Sequence, residues 1–143
     1  MDEENLKILD ELNKGCSMGI DALEVILEKI KEDDFKKIIF DLIKKYKELS
    51  LKINKLHHKS SDEDTKETST MSKVMTWYGI QIRTITDSSN SKLSEMTIQG
   101  LTMGIIDGRR LLKNKHLDKK VKELIKDYVD MQEDYLEKIK SYL

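Results

Sequence analysis

The chain has 143 residues, of which 37% are charged and 38% hydrophobic, with no proline and a single cysteine. That length suits one compact domain, and such a balance suits long helices. Lysine and arginine number 26 against 27 acids, a net charge of -1; this disfavours a non-specific nucleic-acid binder, which needs a clustered positive field. The lone Cys16 excludes an internal disulfide and fits a reducing compartment. The acidic start Met1-Asp2-Glu3-Glu4 lacks the apolar region of a secretory signal. The uncharged stretch from Thr97 to Ile106 falls far below the roughly 20 residues that span a bilayer. The expectation is a cytoplasmic protein with neither a membrane nor a nucleic-acid partner.

In chain order, Leu6, Leu9, Leu12, Cys16, Gly19, Ile20, Leu23, Ile26, Leu27 and Ile30 recur at three- and four-residue steps, which predicts a first helix ending near Glu32. Asp33 or Asp34 is placed to cap the second, whose stripe runs from Phe35 through Ile39, Leu42, Tyr46 and Ile53 to about His58. The short connection makes these two antiparallel neighbours. The polar run from Lys59 to Ser69 reads as a solvated loop, and Val74, Met75, Tyr78, Ile82 and Ile85 mark a shorter helix from Thr70 to about Thr86. A helix from about Lys92 to Asn114 has apolar residues on more than one face and should be the most buried. The last starts near Asp118 and carries Val121, Leu124, Ile125, Tyr128, Val129 and Tyr135 on its stripe. The short helix is predicted either to cross the length of the bundle, reaching about 25 Å over 17 residues, or to stack end-on to the next helix with a kink at Asp87–Ser91.

One string occurs twice. Gly15-Cys16-Ser17-Met18-Gly19-Ile20 recurs as Gly100-Leu101-Thr102-Met103-Gly104-Ile105, an offset of 85 residues. The helices that follow align at an offset of 86, which sets Phe35, Ile38, Ile39, Leu42 and Ile43 on Val121, Leu124, Ile125, Tyr128 and Val129. This predicts a duplicated helical hairpin: hairpin 3–58, a polar loop with a short helix over 59–90, and hairpin 91–143, all in one domain. Gly15, Gly19, Gly100, Gly104 and Gly108 fall four apart on helix faces, although each interior glycine costs a helix about 1 kcal/mol relative to alanine. They are read as a packing seam where the first helix closes on its duplicate, with space for a ligand or a bulky side chain such as Trp77 as the alternative.

The chemistry of four-helix bundles most often uses a carboxylate from two helices and Glu-x-x-His from the other two. Glu-x-x-His is absent. His57 and His58 end the second helix and His116 precedes the last, so surface or capping roles are expected. Among the carboxylates Glu24, Glu28, Glu48, Glu95, Asp107, Glu133 and Glu137, Glu95 and Asp107 are the candidates for a hard-metal site, with iron or manganese as the metal. Cys16 on the apolar stripe reads as a small buried hydrophobe, Ser17 and Thr102 as hydroxyls bonded to backbone, and Met18, Met75, Met96 and Met103 as adaptable filler. No nucleophile elbow, phosphate loop or dinucleotide fingerprint is present. Trp77 is the candidate partner contact, because aromatic anchors concentrate binding energy.

The duplicated hairpins, the long linker and the stretches Met75-Thr-Trp77 and Glu95-Met96-Thr-Ile98-Gln-Gly100-Leu-Thr-Met103-Gly104-Ile105-Ile106 resemble the ferritin-like superfamily, more narrowly its bacterial helical-bundle proteins. The resemblance implies an all-α four-helix bundle from two hairpins, with an additional short helix in the linker. Members of that superfamily bind two irons to oxidise or store them, but this sequence lacks the di-iron ligand pattern, so the resemblance carries architecture and no ligands. The function expected is non-catalytic: protein binding or self-assembly, as a homo-oligomer or with another protein. The alternative is a carboxylate-only di-metal oxidase or metal-storage protein.

Overall fold

The computed structural model describes residues 1–61 and 73–143. Its helices are α1 (Glu3–Lys29), α2 (Asp33–Ser61), α3 (Lys73–Thr84), α4 (Asn90–Leu112) and α5 (Lys119–Ile139), followed by a 3₁₀ turn at Lys140–Tyr142. Among the described residues there is no strand, and no helix is long and apolar enough to cross a membrane. Side-chain caps fix three of the starts. Asp2 accepts from the Asn5 amide at 2.9 Å, Ser89 from Lys92 at 3.2 Å and Asp118 from Lys120 at 3.1 Å, which satisfies amides that have no partner within the helix. Asp33 and Asp34 instead lie inside the first turn of α2, where they oppose the positive end of the helix dipole. The polar loop expected over 59–69 lies outside the described residues from position 62 onward, and α2 continues through Ser61.

Contacts at the two ends fix the directions. At one end Asn5 at the start of α1 donates to the His116 carbonyl at 3.0 Å and accepts from the Asp118 amide at 2.9 Å. At the other, Asn90 at the start of α4 donates to Glu32 at 2.5 Å, and Tyr142 stacks on Phe35 with ring centroids 4.5 Å apart. Hence α1 and α5 run one way and α2 and α4 the other. Around the bundle, α1 lies beside α2 and α4, and α5 lies beside the same two. Because α2 and α4 are parallel, the chain between them travels the length of the bundle. Helix α3 lies along this path. It packs on α1, and its Tyr78 hydroxyl donates to the Met96 carbonyl of α4 at 2.6 Å. That contact, well inside α4, rules out end-on stacking.

The core is aliphatic and runs the length of the bundle, from Leu9, Ile53 and Val121 to Ile26, Phe35, Leu93 and Ile139. Helix α4 is not the most buried element. Leu93, Met96, Leu101, Gly104 and Gly108 are buried, but Glu95, Ile106, Asp107, Arg109 and Arg110 are exposed. Its apolar residues spread over more than one face because that helix borders both the core and an open cleft.

Candidate ligand-binding cleft

The bare positions on α1 and α4 do not bring two backbones together. The atoms nearest to each are side-chain tips from other helices. A Cβ on Gly15 would overlap the Tyr128 hydroxyl, and one on Gly19 would lie 3.0 Å from Cζ of Tyr46. On α4, a Cβ at Gly100 would overlap the Tyr78 hydroxyl, one at Gly104 the Gln132 carboxamide, and one at Gly108 would lie 2.5 Å from a methyl of Val129. The helix-propensity cost of these glycines is therefore offset by room for three tyrosines, a glutamine and a valine.

Between α1, α3 and α4 this arrangement leaves a cleft of about 900 Å³. Its lining includes Gly15 and Gly19 on one wall, Gly100 and Gly104 on the other, Met18, Met75 and Met103, and a floor of Tyr46, Tyr128 and Gln132. Tyr46 donates to Gln132 Oε1 at 2.8 Å, and Gln132 Nε2 donates to the Tyr128 carbonyl at 3.0 Å. The Tyr46 and Tyr128 rings meet edge to face, with centroids 6.3 Å apart. Gln132 is only 1% exposed, so these bonds replace the water that its carboxamide loses. At the mouth stand three acids and three bases: Glu11, Asp21, Asp107, Lys14, Arg83 and Arg110.

The floor carries no charge at neutral pH. Burial, reinforced by the neighbouring Tyr128, Cys16 and Tyr78, pushes the Tyr46 phenol well above its ordinary range. Burial likewise raises Tyr128 and Tyr78, the latter opposed by a backbone hydrogen bond from Gly100. The Cys16 thiol is pushed up to about 12 by burial. A thiol held protonated in this way is a poor nucleophile and a poor metal ligand.

The metal candidates do not converge. Glu95 and Asp107 stand 12 residues apart on α4, about 18 Å along its axis. Both are exposed, and each pairs with its own helix: Glu95 with Lys92 at 3.5 Å, Asp107 with Arg110 at 3.7 Å. Among the described residues no group of three or more His, Cys, Asp or Glu side chains is placed to hold a metal ion. Trp77 does not cover the glycines. It lies 55% exposed beside Ile80 on the outer face of α3. Tyr78, its neighbour in sequence, is the aromatic that enters the cleft.

Three buried polar residues escape the sequence reading. His57 is 4% exposed, not a surface group, and its Nε2 lies 3.2 Å from Asp10 of α1. It falls four residues after Ile53, so its place on the buried stripe was visible. Gln132 likewise falls four after Tyr128 and at the 86-residue offset from Tyr46. Asn5, 3% exposed, likewise falls four before Leu9 on the α1 stripe, and it hydrogen-bonds Asp2 nearby as well as His116 and Asp118 over a hundred residues away.

No family model and no curated protein sequence matches the chain. Two solved structures share its fold: CopM in its Cu(I)-bound form, with a TM-score of 0.75, and CopM in its Cu(II)-bound form, with 0.76. Each is 13% identical over 96% of this chain and 94% of the other. The protein is an all-α helical bundle of the same architecture.

Proposed function

We propose that the protein is a non-catalytic binding protein whose ligand occupies the cleft between α1, α3 and α4. The architecture, two antiparallel hairpins joined by one long crossover, we read as ferritin-like. The observation that carries the functional reading is the cleft itself. It combines the volume of a small-molecule site with mainly apolar walls and a few converging polar groups. The test uses Nile red, a neutral apolar dye. The native protein is expected to bind one dye with enhanced fluorescence, and Ala22→Trp, which fills the cleft from its α1 wall, is expected to abolish binding at unchanged helicity. Equal binding by Ala22→Trp, or none by the native protein, contradicts the reading.

A second reading rests on the three methionines. Met18, Met75 and Met103 line one cleft, and neutral thioethers suit Cu(I), not Cu(II), iron or manganese. CopM is a copper-bound protein of this fold. These three side chains would hold the ion, which they bind without deprotonation. Competition against bicinchoninate should then show Cu(I) retained by the native chain and released by the triple Met→Leu variant; equal retention by both contradicts this reading. Association with a protein partner or a second copy we assign to the outer face of α3. There Trp77 and Ile80 stand 55% and 54% exposed.

A further inference from the structure

We infer that the molecule held in the cleft is uncharged at its buried end: an apolar chain or ring bearing a hydroxyl, carbonyl or amide that meets Tyr46 and Tyr128. The inference rests on the cleft being the binding site and adds the chemistry of the occupant. Gln132 uses its carbonyl oxygen to accept from Tyr46 and its amide to donate to the Tyr128 carbonyl. This leaves the Tyr128 hydroxyl hydrogen and the Tyr46 oxygen lone pairs to face a ligand, one donor and one acceptor. A hydroxyl or an amide satisfies both.

A carboxylate or an ammonium placed there would lose its hydration against phenols that burial keeps neutral, with no counter-ion at hand. The charges of the cleft stand at the mouth, where Glu11, Asp21 and Asp107 are balanced by Lys14, Arg83 and Arg110. They select no head group of either sign. The walls supply the apolar contact, from Leu12, Leu23, Leu101 and Ile82 with the adaptable Met18 and Met103.

Calorimetric titration of the full chain with 1-octanol, octanoate and octyltrimethylammonium separates the possibilities, because the three probes share one tail. The expected result is that octanol binds at least tenfold more tightly than either ion, and that Tyr128→Phe erodes this preference at least threefold at unchanged helicity. Octanoate or the ammonium binding as tightly as octanol overturns the inference and leaves the cleft reading intact. Binding of none of the three overturns the cleft reading and the inference with it. An unaltered preference in both Tyr128→Phe and Tyr46→Phe overturns the recognition assigned to the floor.

Discussion

The two hairpins carry the same glycine string, yet they seat different side chains on it. In the first, Gly19 of α1 lies under the ring of Tyr46 from α2. In the second, Gly104 of α4 lies under the carboxamide of Gln132 from α5. Gly19 and Gly104 correspond at the 85-residue offset, and Tyr46 and Gln132 at the 86-residue offset. The two occupants also bond to each other, at 2.8 Å. The Tyr46 phenol donates and the Gln132 carboxamide oxygen accepts, which joins the two hairpins at the bundle centre. The first glycines of the strings differ in another way. Gly15 receives Tyr128 from the opposite hairpin, whereas Gly100 receives Tyr78 from α3, which lies outside the repeat. Corresponding seats on the two strings thus hold different occupants.

This contrast can be broken first at the seat of the Tyr128 hydroxyl. Gly15→Ala would drive a methyl into the Tyr128 hydroxyl. It is expected to cost about 1–3 kcal/mol, the usual range for overpacking, when measured by urea unfolding. Tyr128→Phe removes the atom in the way, so the same substitution in that background should cost less than half as much. Costs that simply add would detach Gly15 from its assigned occupant.

Smaller is the effect of Tyr46→Phe, which leaves the buried Gln132 carbonyl without its donor. A loss of about 1–2 kcal/mol is expected, together with a shifted Gln132 side-chain amide signal in NMR spectra; an unmoved signal contradicts the bond between the hairpins.

The smallest effect has the opposite sign. Gly79 on α3 belongs to neither string, and a Cβ there would meet only the Arg83 guanidinium at 3.5 Å, an ordinary contact. Gly79→Ala is therefore expected to stabilise by up to about 1 kcal/mol, the helix-propensity difference. Destabilisation would mean that this glycine, too, houses a neighbour.

Much of the architecture was legible in the sequence. The stripes of α1, α2 and α5 lie on the core because a 3.6-residue period leaves few alternatives for so regular a pattern. The path of α3 was not, since lengthwise and end-on packing share one amphipathic pattern and only the Tyr78–Met96 contact separates them. The glycines could be placed on shared faces, but what fills them could not. Tyr46, Tyr78, Tyr128 and Gln132 arrive from positions 22 to 113 residues away from their seats. Glu95 and Asp107 drew attention through an apolar helix, yet the uncovered side of α4 holds both in water. His57 reads as a helix-end group, yet α2 continues to Ser61 and Asp10 of α1 faces it at 3.2 Å.

The central claim is that the space between the two glycine walls takes a ligand. Amide NMR of the labelled chain titrated with 1-octanol tests it most directly. Shifts are predicted to gather at Gly15, Gly19, Gly100 and Gly104, with α2 around the exposed Phe40 and Leu51 unmoved. Shifts gathered at Phe40, Leu51 or the outer face of α3 instead, or none at all, would contradict it.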